Sequence, residues 1–336
     1  MRIKNLLGAA VLGIFSLSLS AQGYGEREEA IAFARDLEAR HQIPLAETLS
    51  YLTRATYDDR VIRYISPPKK TGVRSWLRYR SRFIEPIRIQ AGIDFWESHR
   101  AIVRAAAERF GVDEAIIVGI IGVETIYGRY TGNFQVLDAL ATLAFDYPPR
   151  ATLFRSELEN LFLMAREQGR PADEYYGSFA GAIGLPQFLP SSIRNYAVDF
   201  DEDGRIDLDN SIADAIGSVA NYLHLHGWQA GAPIAVPATV ADESKIDALL
   251  AAGIEPSLSS EQLAAAGVVA KIGDPENQQT TLIDLASPGS STEYWLGYRN
   301  FYVITRYNRS SFYAMSVFQL ADAISRRSDA RMAQRD

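Results

Sequence analysis

Apolar residues recur at helical spacing from Glu26 to about His226, and this commits most of the chain to α-helix. Glu28 to Ala39 and Trp96 to Phe110 alternate charged and apolar residues with that period. Ser156 to Gln168 carries Leu158, Leu161, Phe162 and Ala165 on one stripe, and Asp214 to His226 repeats the pattern with Ile216, Val219, Ala220 and Leu223. Breaks fall at Pro67-Pro68, Pro148-Pro149, Gly169 to Pro171 and Gly227 to Pro233. The texture changes after Trp228. Ile234 to Val240, Thr280 to Leu285 and the aromatic, β-branched stretch Trp295 to Arg306 read as strands, with a short helix near Ser259 to Ala266. Phe312 to Arg326 is helical again. The spacing therefore predicts a mainly α fold: a helical body at 22–231, a small inserted β-containing module at 232–304, a C-terminal helix at 305–325 that rejoins the body, and a flexible tail at 326–336.

The first 21 residues read as a signal peptide for export. Arg2 and Lys4 are followed by an uncharged apolar run from Leu6 to Leu19, with small residues Ser18, Ser20 and Ala21 for cleavage. The run is shorter than the roughly 20 residues a spanning helix needs. The chain of 336 residues contains no cysteine, so a packed core rather than disulfides must hold an exported fold. Missing cysteines also exclude thiol nucleophiles, Cys-zinc sites and a lipoprotein anchor. A net charge of −7 without a long basic block disfavours nucleic acid. The expected protein is periplasmic, with no stable membrane anchor.

Phosphate-cradling glycine loops, the G-x-S-x-G elbow and H-E-x-x-H are all missing. His224 and His226 lie two apart on a helix and cannot clamp one metal; hydrogen-bonded surface histidines are the simpler reading. Carboxylate chemistry remains. In Asp113 to Glu124, Asp113 is a plausible N-cap, and the apolar stripe Ile117, Ile120, Ile121 continues to Glu124. The acid thus occupies a face that helices bury, where desolvation raises its pKa and suits it to general acid catalysis. A buried ion pair with Arg129 or Arg150 is the structural alternative. Gly119 and Gly122 weaken this helix, so a close neighbour is expected there.

Ser178 to Pro190 is rich in Gly and Pro, lacks charge, and holds Ser178 and Gln187; it suits either a sugar-binding loop or a packed turn. Tyr79, Tyr222, Tyr307 and Tyr313 could line a groove, or be core residues with wet hydroxyls. Asp199 to Asp207 reads D-x-D-x-D-G-x-x-D, the spacing of a calcium loop with ligands Asp199, Asp201, Asp203, the Arg205 carbonyl and Asp207. Its twelfth position is Asn210 instead of Glu, and a solvated acidic turn is the alternative.

Together these segments resemble the lytic murein transglycosylase B family. The resemblance is carried by Gly119 to Thr125, Ala139 to Phe145, Gly181 to Gly184, Pro186 to Phe188, Pro190 to Ser192, Ile216 to Tyr222 and Ile304 to Asn308, and extends from about Glu26 to Ser325. It implies a lysozyme-like α-helical catalytic core with an additional helical part. It also implies periplasmic cleavage of the β-1,4 bond from N-acetylmuramic acid to N-acetylglucosamine, with 1,6-anhydro-muramic acid ends. Glu124 would act as acid and then base, while Ser178, Gln187, Tyr79, Tyr222, Tyr307, Asn308 and Tyr313 would line the glycan cleft and Arg150 would contact the sugar or its peptide. No catalytic cofactor is implied. A structural Ca²⁺ is, and Asp214 would complete its shell. Peptidoglycan glycan strands are the implied partner, with wall-synthesis or remodelling proteins as candidates. A hydrolytic muramidase and an inactive glycan-binding wall protein are the alternative functions.

Overall fold

The computed structural model describes residues 23–68, 72–272 and 278–332, so the expected signal peptide lies outside the described residues. Two compact units divide at Tyr57 and Asp58, where the sequence suggested one continuous helical body. In the first unit, helices α1 (Glu28–His41) and α2 (Leu45–Arg54) pack on each other. Ala30, Phe33, Ala34 and Leu37 form the buried stripe of α1, at the spacing its sequence shows.

The second unit begins with α3 (Asp59–Ile65), α4 (Trp76–Arg80), α5 (Pro86–Ser98), α6 (Arg100–Phe110) and α7 (Glu114–Thr125). The continuous helix expected over Trp96 to Phe110 is instead two, broken at His99. After α7 come a two-residue strand β1 (Phe134–Gln135), α8 (Val136–Asp146) and α9 (Ala151–Gln168). Strand β2 (Tyr176–Gly177) pairs antiparallel with β1, and α10 (Pro190–Tyr196) and α11 (Ile212–Leu225) follow.

Helix α7 is the axis of this unit. Every residue from Ile116 to Val123 is buried, so the helix is enclosed on all sides and not merely along the stripe its sequence suggested. Its close approaches are those the glycines require. A Cβ on Gly119 would lie 3.0 Å from the Val317 carbonyl, and one on Gly122 would lie 2.2 Å from the Tyr127 hydroxyl.

The inserted module contains β3 (Ala235–Val240), α12 (Asp247–Ala251), α13 (Ser260–Ala265), β4 (Val268–Ala270), β5 (Thr281–Leu285) and β6 (Glu293–Gly297). Its antiparallel sheet runs β4-β3-β6-β5 and covers a small core of Leu249, Leu258, Leu263, Val268, Leu282 and Leu296. Backbone and side-chain bonds fasten it to α4: Trp76 N–H donates to Ala286 at 2.9 Å, and Arg74 pairs with Asp284 at 2.5 Å. The strand expected to reach Arg306 ends at Gly297. Residues Arg299–Tyr307 form α14, with Phe301, Ile304 and Thr305 buried at helical spacing. The last helix, α15 (Ser311–Met332), packs along α7 and extends past the expected boundary at 325, so the predicted tail is helical as far as Met332.

Candidate active site

Glu124 stands one residue before the end of α7, where the chain leaves the helix through three successive left-handed residues: Ile126 (φ 51°), Tyr127 (φ 57°) and Gly128 (φ 86°). Such a turn is costly for the two non-glycine residues and persists because its surroundings fix it. Thr125 Oγ1 donates to the Leu185 carbonyl at 3.1 Å and accepts from Gly128 N–H. The buried Arg88 guanidinium, on α5, donates to the Gly122 carbonyl, to Val123 at 3.4 Å and to Arg82 at 3.1 Å. A cation thereby occupies the negative end of the α7 dipole and satisfies carbonyls that the helix leaves open. Sequence reasoning missed Arg88; its one signal is a charge between Ile87 and Ile89.

The carboxyl group itself meets tyrosine. Tyr313, on the first turn of α15 and 3% exposed, donates its hydroxyl to Glu124 Oε1 at 2.5 Å. Burial pushes the Glu124 pKa up from 4.5 to about 7, and the Tyr313 hydrogen bond, which favours the ionised form, works against that rise. Among the described residues no ion pair reaches Glu124, so the structural pairing with Arg129 or Arg150 is not made. Tyr307 stacks on Tyr313 with ring centroids 6.4 Å apart and planes at 14°, and Tyr222 lies 4.8 Å from Tyr307. Burial and the neighbouring Glu124 charge hold the Tyr307 and Tyr313 hydroxyls well above the usual phenol range. Tyr79 feels the same two influences, and its ring packs against Trp76, Phe83 and Phe312.

Two further hydroxyls are engaged with backbone. Tyr307 donates to the Pro186 carbonyl at 2.7 Å and Tyr222 to the Arg306 carbonyl at 2.6 Å. They offer aromatic faces and brace the loop. That loop is shaped by its own polar residues. Ser178 Oγ accepts from Ala182 N–H at 3.0 Å, and Gln187 donates to the Thr131 and Gly184 carbonyls, both at 2.9 Å. Gly184 (φ 71°) passes so close to Leu208 that a Cβ would sit 2.3 Å from its carbonyl oxygen. The segment is thus a packed turn, tied to the Glu124 helix through Thr125 and to Tyr307 through Pro186.

Other expectations are displaced. Arg150 is exposed in a single 3-10 turn, its guanidinium over the Phe154 ring at 5.1 Å, and no described contact brings it to Glu124. Asn308 is exposed just after α14. Asp113 has the extended N-cap backbone but makes no capping hydrogen bond. His224 and His226 are hydrogen-bonded through Nδ1 to the Phe110 and Tyr222 carbonyls, as a surface reading requires.

In the acidic loop, carboxylate oxygens of Asp199, Asp201 and Asp203 lie within 4.8 Å of one another, and three hard oxygen donors fit a divalent cation such as calcium. Asp207 and Asp214 are turned to other work. Asp207 accepts from the Asp209 and Asn210 backbone, while Asp214, 1% exposed, accepts from Phe200 N–H at 2.7 Å and Asp207 N–H at 2.8 Å. Asp214 braces the loop through both carboxylate oxygens; burial raises its pKa, and the two backbone donors work against that rise.

Among known families, a model described as Transglycosylase SLT domain matches residues 25–322. The membrane-bound lytic murein transglycosylase B of Escherichia coli K12 is 47% identical over 251 residues, which are 75% of this chain and 68% of that protein. The catenated lytic transglycosylase SltB1 of Pseudomonas aeruginosa superposes with a TM-score of 0.84 at 42% identity, covering 91% of this chain and 99% of that one. Escherichia coli Slt35, a lytic transglycosylase solved in complex with calcium, gives 0.82 at 41% identity over 92% of this chain and 97% of its own.

Proposed function

The chain belongs to the transglycosylase SLT domain family, and from that membership we propose that Glu124 is the acid and then the base of its reaction. The protein is a lytic murein transglycosylase with a lysozyme-like core. It cleaves the β-1,4 bond between N-acetylmuramic acid and N-acetylglucosamine without water and leaves 1,6-anhydro-muramic acid ends. One observation carries the assignment of Glu124: a carboxyl at the end of a rigid helix, its pKa pushed by burial to about 7, with Tyr313 as its hydrogen-bond partner.

In this mechanism Glu124 gives its proton to the glycosidic oxygen as the bond from the muramoyl C1 breaks. The resulting carboxylate then takes the proton of the C6 hydroxyl, whose oxygen closes on C1. Glu124 ends as it began: C1–O4′ is exchanged for C1–O6, and one proton passes from O6 to O4′. Nothing in this sequence needs a second carboxylate, and the substrate's acetamido group is suited to shield the cation. Tyr313 orients Glu124, and the Tyr222, Tyr307 and Tyr79 rings supply the apolar faces against which sugars pack. Ser178 and Gln187 serve the cleft by holding its loop. Product mass tests the reading: wild-type digests of purified sacculi should contain muropeptides one water lighter than hydrolysis gives, and Glu124→Gln should release none. Wild-type release by that variant would remove Glu124 from the mechanism.

We infer also that Asp199, Asp201 and Asp203 bind calcium as a structural ion, which relieves repulsion among three clustered carboxylates; the calcium complex of Slt35 supports this. Calorimetry should detect one Ca²⁺ per chain and a raised melting temperature, with both effects lost in Asp201→Asn. No heat of binding at millimolar Ca²⁺ would refute it. A murein substrate and the export signal expected at residues 1–21 support a periplasmic location, and no helix among the described residues is long and apolar enough to cross a membrane.

A further inference from the structure

A second recess lies behind the tyrosine cluster. A cavity of about 500 Å³ opens between α4, the inserted sheet at β3 and β6, and α15. It is distinct from the Glu124 site because its lining residues lie on other faces of α15 and α4 than Tyr313 and Tyr79 do. At about 100° per residue, Phe318, Gln319, Asp322 and Arg326 lie roughly 140–240° around α15 from Tyr313. On α4, Leu77 and Arg80 line the cavity while Tyr79 turns toward Glu124.

The lining combines three chemistries. Trp295 and Phe318 meet edge to face at 6.1 Å and, with Leu77, make an apolar wall. Arg80 is half-buried, and its Nε donates to Gln319 Oε1 at 2.6 Å. That bond fixes the plane of the guanidinium and leaves both Nη groups without a partner among the described residues, a fork suited to a carboxylate. Across the cavity, Glu293 on β6 is exposed and equally unpaired among the described residues, an acceptor for an ammonium group. The remaining two charges, Asp322 and Arg326, neutralise each other at 2.8 Å. Neutral sugars would leave the Arg80 fork and the Glu293 carboxylate without counter-charges. A ligand with a carboxylate, an amine and short alkyl groups matches all three features, and its size is right for such a cavity.

We propose that this cavity is a second binding site, for a short peptide bearing a free carboxylate and an amine, as on the stem peptides of murein. The choice of stem peptides rests on the murein reading above, whereas the charge pattern stands without it. The probe is a sugar-free stem tetrapeptide, L-Ala-γ-D-Glu-meso-diaminopimelate-D-Ala, titrated into the full-length mature protein and followed by calorimetry. One peptide should bind per chain, at least tenfold more weakly to Arg80→Ala and to Glu293→Gln, and equally well to Glu124→Gln and Tyr313→Phe. Glu293 is exposed on a strand, so its variant keeps the test valid if Arg80→Ala misfolds. Absence of binding, binding unchanged in Glu293→Gln, or binding lost in Tyr313→Phe overturns the proposal. So does a chitotetraose oligosaccharide that binds this cavity in place of the peptide. The titration reads the cavity alone, and the anhydro products are read separately from wild-type digests, so failure here leaves the Glu124 assignment to its own test.

Discussion

A carboxyl group that keeps its proton to about pH 7 sets the working range of a general acid, and Glu124 is held there by burial against Tyr313. Activity on sacculi should fall as pH rises past that value. Tyr313→Phe removes the one interaction that favours the carboxylate, so the alkaline limb should move to higher pH while the plateau rate drops about tenfold, the worth of one hydrogen bond of about 1.4 kcal/mol. A pH–rate profile checks both; an unshifted limb would separate Tyr313 from Glu124 titration. Glu124 was legible in the sequence because it continues the register of Ile117, Ile120 and Ile121. Tyr313 was legible only as one groove candidate among four tyrosines, and nothing in the sequence marked it as the partner of Glu124, since a tyrosine in a polar-aromatic run looks the same in any core. As a site residue Arg150 came only from the family resemblance: an arginine after two prolines signals a turn, which the structure has, and says nothing about what the turn faces. Arg88 left almost no trace, because its partners are backbone carbonyls, which carry no side-chain signature.

The end of α7 is the element on which the site depends. Its carbonyls are clasped by Arg88, and its left-handed exit folds Tyr127 back beneath Gly122. Arg88→Met should leave those carbonyls unpaired in the interior and cost about 2–4 kcal/mol of stability. Denaturant unfolding measures the loss, and Arg88→Lys should recover part of it. A loss below 0.5 kcal/mol would mean that α7 ends securely on its own. Elements with strong apolar period, such as α9 and α11, were readable from sequence to within a few residues. Helix α14 was not: its aromatic and β-branched composition favours a strand, and tertiary packing of Phe301, Ile304 and Thr305 decides for helix. The break between α5 and α6 is equally silent, since His99 interrupts the backbone without a proline or glycine to announce it.

For the molecule as a whole, a raised carboxyl pKa is a stability statement with a definite sign. Glu124 binds its proton more tightly folded than unfolded, so its contribution is fully present below its ordinary value of 4.5 and is lost as pH rises through about 7. Glu124→Gln, which cannot ionise, should therefore melt with the wild type near pH 4 and several degrees above it at pH 8. Melting curves across that range decide the point, and parallel behaviour at both ends would deny the carboxyl its burial cost. The hydrogen bond from Tyr313 to Glu124 joins residues 189 positions apart in the chain, with the whole inserted module between them. An unfolded copy carries a glutamate of unremarkable acidity and no partner for it. The acid and its partner therefore meet only when the final helix docks against α7, so the chemistry belongs to the finished fold and to no shorter piece of it.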